Sequence, residues 1–221
     1  MEQTPPPPIE DLLTKDCIAF DLETVANKKT LAIPGVMPEF EAAKNLKDPI
    51  KIEASIAEKR EKFIEEAGLD PNYGQIVCIA LCNSSVEHVF TGGEKDILKA
   101  TWDVLKDWRE ICGYNSKLFD YNFMVRRSWF LGIKPSVTYD TFPYRSVSHF
   151  DIRLILSNGN KTSPGKLATY AKLKFGVDMD AKGSEVQGLW DEGKIKEIAD
   201  HCLQDVKITW ALFKSLQGFY I

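Results

Sequence analysis

Cys17-Ile18-Ala19-Phe20-Asp21-Leu22-Glu23-Thr24 decides the fold. The stretch opens apolar and then places two carboxylates two residues apart. In a strand, alternate side chains share a face, so Asp21 and Glu23 point the same way. Two like charges side by side on a buried strand are costly unless something cationic sits between them. Hard divalent cations such as Mg²⁺ or Mn²⁺ suit oxygen ligands of this kind. The stretch therefore predicts a carboxylate metal site at the end of a buried strand, and the rest of the chain has to supply the remaining ligands.

Further acids stand in promising places. Gly113-Tyr114-Asn115-Ser116-Lys117-Leu118-Phe119-Asp120 reads as a strand end and polar turn, with Asp120 near the start of a helix over about 119–131. His201-Cys202-Leu203-Gln204-Asp205 lies inside a helix predicted over 195–216, and its His201 and Asp205 share a helix face at a spacing of four. Around these, strands are expected over 15–24, 75–83, 86–90 and 111–115. Helices are expected over 96–110, 149–157, 166–175 (closed by Gly176) and 185–192. Between the first two strands, Pro49 to Gly68 carries Ile50, Ile52, Ile56, Phe63 and Ile64 at near-helical spacing, with Pro49 suited to the first turn. Strands early and helices late predict an α/β fold, a mixed central sheet flanked by helices with a helical insertion over 49–68. The insertion is expected to wall one side of a substrate channel.

FDLET, GYNSKLFDYNF and HCLQDV, taken in order, resemble the three exonuclease motifs of the DEDD (DnaQ-like, ribonuclease H-like) 3′-5′ exonuclease superfamily. The likeness is nearest to the exonuclease domain of family B DNA polymerases and its stand-alone relatives. Gln75 to Ala80, His149-Phe150-Asp151-Ile152 and Lys182-Gly183-Ser184-Glu185-Val186 look like further segments of that family. The resemblance implies a ribonuclease H-like fold. It implies that Asp21, Glu23 and Asp205 bind one metal and that Asp21 bridges to a second supported by Asp120. The cofactors would be two divalent ions, Mg²⁺ or Mn²⁺, in a two-metal hydrolysis of phosphodiester bonds. Leu22 and Thr24 would meet the terminal 3′-hydroxyl, with Asn115 and Phe119 holding the last nucleotides.

His201 departs from the family pattern. One branch of the superfamily has Tyr four residues before the last Asp, and the other has His five before it. This chain has the first spacing with a histidine in the slot. A neutral imidazole can take or orient a proton near neutrality, so His201 is the candidate general base. Other residues carry lesser expectations. Arg126, Arg127 and Lys117 are candidates for phosphate contact, and Arg145, Lys161 and Lys166 for weaker loop contacts. Trp129 and Phe130 are expected to be core residues. His149 is balanced between a local hydrogen bond and a substrate contact. Asp151 reads as a helix-start acid, and Asp140 as a second carboxylate that nothing singles out.

The expected activity is release of nucleoside monophosphates from the 3′ end of single-stranded DNA, with repair or replication proteins as partners. An exoribonuclease on the same scaffold and an inactive nucleic-acid-binding module are the alternatives. Composition permits this. The formal charge is −4, but setting aside the four site acids leaves 28 acidic against 28 basic residues. That balance argues against tight non-specific duplex binding and not against nucleic acid. Residues 1–13, with Pro5 to Pro8, read as an extended tail, and 14–221 as a single domain. The odd count of cysteines, mostly in apolar runs, predicts reduced buried thiols and no zinc site. With no membrane-length apolar run and no secretory pattern, the expected location is cytoplasmic.

Overall fold

The computed structural model describes residues 16–143, 145–158, 165–179 and 185–221. The Pro-rich tail, Lys15, the loop residue Lys161 and the Lys182-Gly183-Ser184 lead-in lie outside the described residues.

Five strands form one mixed sheet among the described residues. They are β1 (Cys17–Ala26), β2 (Gly74–Cys82), β3 (Glu87–Thr91), β4 (Glu110–Gly113) and β5 (His149–Asp151), in the order β3-β2-β1-β4-β5. β1 runs antiparallel to β2 and parallel to β4, and β4 is parallel to β5. The helices are α1 (Lys28–Leu31), α2 (Pro49–Glu66), α3 (Glu94–Leu105), α4 (Asp120–Phe130), α5 (Ile152–Leu156), α6 (Leu167–Phe175), α7 (Val186–Asp191) and α8 (Ile195–Leu216). This is the ribonuclease H-like α/β arrangement expected, with α2 inserted between the first two strands.

The central strand is buried on both faces, and its alternation sorts the core into two layers. Cys17, Ala19 and Val25 face α8, where Ile198, Cys202, Val206 and Phe213 meet them. Ile18, Phe20 and Leu22 face the other way, toward Ile97, Leu98 and Trp102 of α3 and Tyr121, Phe123 and Met124 of α4. β1 is long, but β4 accompanies it only from Cys17 to Ala19. Among the described residues no strand lies beside that edge of β1 beyond Ala19, and the candidate site is built there.

Two boundaries correct the sequence reading. The helix expected over 96–110 stops at Leu105, because Glu110 is already paired beside Cys17 in β4. The Tyr139 hydroxyl lies 3.0 and 2.8 Å from the Leu105 and Trp108 carbonyls left over at that helix end. The helix expected from His149 begins only at Ile152. His149 to Asp151 form β5, and the Asp151 carboxylate caps the short helix by accepting from the Leu154 N–H at 3.2 Å. All five cysteines are free and buried. Among the described residues no helix is long and apolar enough to cross a membrane.

Candidate active site

β1 and α8 build the first half of the site. Asp21 and Glu23 sit at the alternate positions that continue the α8-facing row of Cys17 and Ala19. Opposite them β2 carries one extra residue, Val77, between the partners of Glu23 and Thr24. Val77 and Cys78 both turn toward the α8 layer. Such a bulge bends and twists the pair locally and re-aims side chains beside it. From α8, Cys202 comes up under the carboxylates: its Sγ lies 3.5 Å from the Asp21 carbonyl oxygen and 3.7 Å from Asp21 Oδ2. One ligand atom each from Asp21, Glu23 and Cys202 falls within a 4.8 Å circle. The sequence reading missed Cys202 at the site, although its place three residues before Asp205 puts it on nearly the same helix face.

His201 is not positioned as a free-standing base. Its Nδ1 lies 2.8 Å from Glu23 Oε1, with both side chains largely buried. It also faces Asp205, whose pKa its charge lowers against the larger effect of burial.

Asp120 supplies the second half. It opens α4, is buried, and projects to the open edge of β1. Burial first, and the charges of Asp151 and Glu23 after it, push its carboxyl up to about 8, against the backbone amides of Asp120 itself and Leu22, which pull it down. Asp205 is pushed up to about 6 by burial, with Glu23 adding to the effect. Asp21 is raised well above the ordinary carboxylate value by burial and then by Asp120, Glu23 and Asp205. Asp21 thus feels the charges of the other three predicted acids, and of these Glu23 brings a ligand atom within 4.8 Å of it. The charges that raise Asp21 most are three other carboxylates. That is the environment a hard divalent cation satisfies, and an all-oxygen set backed by one thiol fits Mg²⁺ or Mn²⁺.

The turn that carries Asp120 is held from below. Gly113 ends β4 where a Cβ would stand 2.4 Å from Ser116, so the chain folds back only with glycine there. Asn115 adopts a left-handed conformation, φ 64°. The Asp151 carboxylate accepts from the Asn115 and Lys117 backbone N–H groups at 3.1 and 3.0 Å. His149, wholly buried, places Nε2 2.8 Å from the Ser116 hydroxyl, and its ring meets Phe20 and Tyr121. The Lys117 ammonium turns inward to the Phe142 and Arg145 carbonyls, 3.8 Å from Asp140, which itself holds Arg145 through two hydrogen bonds. Asp140, which nothing in the sequence singled out, is the anchor of that loop.

These contacts revise the expected substrate set. The Leu22 side chain is buried on the sheet face opposite Asp21 and Glu23, so only its backbone is near the site. Thr24 is half-buried. The Asn115 amide oxygen accepts from Arg153 at 3.0 Å. Phe119 is half-buried, and its ring stands 5.5 Å from that of Phe123 at the mouth of a cleft. Lys117 and His149 are too deeply buried to touch a ligand. Arg127 is also buried, in a two-bond pair with Glu94 at 2.8 Å each. Arg126 remains half-buried and lines the cleft. Lys166 is exposed. Trp129 and Phe130 are not core residues: they are 74% and 46% exposed, because Phe123, Met124 and Arg127 occupy the inward stripe of α4.

Residues 72–219 match the profile of a family described as predicted 3′-5′ exonucleases related to the exonuclease domain of PolB. The chain belongs to this family. The matched region includes Asp120, His201 and Asp205, while Asp21 and Glu23 precede it. An uncharacterised protein of Methanocaldococcus jannaschii is 29% identical over 175 residues, which is 69% of this chain and 92% of that protein. Among solved structures, the family B DNA polymerase of Pyrobaculum calidifontis superposes with a TM-score of 0.62 at 18% identity, over 90% of this chain. The chain spans only 24% of that polymerase. The likeness shows a shared fold.

Proposed function

We propose that this protein is a metal-dependent 3′-5′ exonuclease that hydrolyses phosphodiester bonds at the 3′ end of single-stranded DNA and releases nucleoside monophosphates. The observation that carries the reading is the mutual charge effect of Asp21, Glu23, Asp120 and Asp205, with Asp21, Asp120 and Asp205 held above their ordinary pKa by burial and by neighbouring carboxylates. A polyanionic substrate is repelled by such a site until cations bind. Asp21, Glu23 and Asp205 would hold one ion, and Asp120 with Asp21 a second. When bound, the ions supply positive charge that offsets the acids and polarises the phosphodiester.

The chain's own residues then divide the work. The Glu23 contact favours one histidine tautomer: with Nδ1–H donating to Glu23 Oε1, the neutral ring carries its lone pair on Nε2, which would take a proton from the attacking water. His201 therefore orients Glu23 and takes the proton, a deeper role than a base alone. The Asp151, His149 and Lys117 contacts fix the turn, so that Asp120 enters the site from a rigid base.

The deciding experiment is cleavage of a 5′-labelled single-stranded DNA, beside the matching RNA, with Mg²⁺, Mn²⁺ or EDTA. A ladder that shortens from the 3′ end is expected, absent in EDTA and in Asp21→Ala. His201→Gln should slow turnover by about 10²- to 10⁴-fold and remove one limb of the pH profile. No shortening of either polymer with either metal would reject the reading.

A further inference from the structure

The exposed ridge of α4 starts beside Phe119, the chain neighbour of Asp120. Phe119, next to Asp120, stands at the mouth of a cleft of about 270 Å³ whose walls are Leu69, Asp70 and Pro71 on one side and Asn122 and Arg126 of α4 on the other. Asn122, Arg126 and Trp129 follow one another at spacings of four and three, so they form a single stripe along the helix. The stripe ends in an aromatic pair held in place from behind. The Trp129 ring lies 5.0 Å from that of Phe130, inclined by 35°. Phe130 in turn stacks 5.6 Å from the Arg127 guanidinium, which the buried Glu94 fixes. Trp129 is thus 74% exposed on a backed platform beside the cleft, and its neighbour Phe130 is 46% exposed, so the two form an exposed aromatic patch.

We infer that this stripe is the track for the nucleic-acid strand upstream of the scissile bond, with Trp129 stacking on a base and Arg126 meeting a phosphate. The inference rests on the exonuclease reading and deepens it by adding residues that hold the strand beyond its terminal nucleotides. Aromatic platforms alternating with cations are the chemistry of sequence-tolerant single-strand binding. An aromatic surface alone would suit a protein partner as well. Continuity with Phe119, the chain neighbour of Asp120, and the cation between the aromatics favour a single-stranded polyanion. Asp70, the acid in the cleft wall, is turned to the Asn72 N–H at 2.8 Å. Along the helix axis Asp120 and Trp129 are about 14 Å apart at 1.5 Å per residue. At a stacked spacing of about 3.4 Å that is about four nucleotides, and fewer if the strand is extended.

The test is equilibrium binding in Ca²⁺ of an oligothymidylate series from dinucleotide to octanucleotide, with gels confirming that the oligonucleotides stay intact. Affinity of the wild type should climb with length until about the tetranucleotide and then level off. Trp129→Ala should bind the octanucleotide about 5- to 100-fold more weakly, and Trp129→Phe should recover most of that. Arg126→Ala should lower the slope of log affinity against log salt by about 0.7. Octanucleotide binding should quench tryptophan fluorescence in the wild type and not in Trp129→Phe. Wild-type affinity in both alanine variants at every length overturns the track and leaves the exonuclease reading standing. Wild-type protein that binds no oligonucleotide of any length removes both, so the two failures are distinguishable. Because Trp129 is on the surface, a circular dichroism spectrum equal to wild type shows that a weak variant is folded.

Discussion

A carboxylate ringed by three others gains little from ionising until a cation arrives, and this has a thermodynamic consequence for the metal-free protein. Asp120 is held at about 8 and Asp205 at about 6, and Asp21 is raised as well, where the unfolded chain titrates near 3.8. Between pH of about 4 and 8 the folded protein keeps protons that the unfolded chain has released. Stability from these groups is therefore full below about 4 and drains away as the pH rises. His149 acts in the opposite direction. Burial holds it near 3, whereas in the unfolded chain it protonates below about 6.5, so its contribution is lost as the pH falls through that window. Three raised carboxyls outweigh one lowered imidazole. Scanning calorimetry in EDTA should show Tm falling from pH 5.5 to 8, and Mn²⁺ should restore more at pH 8 than at pH 5.5. A Tm in EDTA that is flat or rising across that range would show that the acids do not share a site. At this scale, alternation along β1 was enough to bring Asp21 and Glu23 together. The same alternation already turned Leu22 away, so the sequence held that correction. Trp129 and Phe130 were not legible, because which stripe of a helix faces inward depends on the sheet it lands against.

Among the elements, the least conspicuous strand does the most for the site. β5 has only three residues, too few for periodicity to separate it from the helix that follows, and the sequence reading merged the two. Its last residue, Asp151, was read as a helix-start acid, and it is one: it accepts from Leu154. What the sequence did not reveal is that the same carboxylate also holds Asn115 and Lys117, thirty-six and thirty-four residues earlier, because parallel pairing of β4 with β5 is a long-range event. Three backbone N–H groups end on one buried charged acceptor. Asp151→Ala leaves them without partners and should destabilise the protein by about 3 kcal/mol or more. Denaturant unfolding measures that loss, and Asp151→Asn should recover part of it, since its amide oxygen still accepts. Cleavage should fall further than the folded fraction does, since Asn115 to Asp120 form one rigid turn. A fall in activity matching the folded fraction would mean that Asp151 serves stability alone.

For the whole molecule the open question is the inserted helix. α2 runs over 18 residues without burying one of them, and its firmest tie to the body is Phe63, whose ring meets those of Phe40 and Tyr73. The sequence placed it between the first two strands with Pro49 in the first turn and suggested that it walls the channel, and in the structure Asp48 caps it. In the structure the wall is the turn that follows it. Leu69 to Pro71 are held without α2: Gly68 backs so closely on Val25 and Ala26 that a Cβ would lie 3.1 Å from their backbone, the Asp70 carbonyl accepts from Tyr73, and Arg127 reaches the Pro71 carbonyl. Replacing Pro49 to Glu66 with a short Gly/Ser linker removes surface and little core, and closing a loop of different length costs only about 0.6 kcal/mol per doubling. The shortened protein should keep Tm within a few degrees, about 2–4 °C per kcal/mol lost in a chain of this size. Its KM for a long oligonucleotide should stay within about threefold, less than 1 kcal/mol. A tenfold rise in KM at unchanged Tm would put α2 itself in contact with the strand and return the insertion to the role that its position in the sequence first suggested.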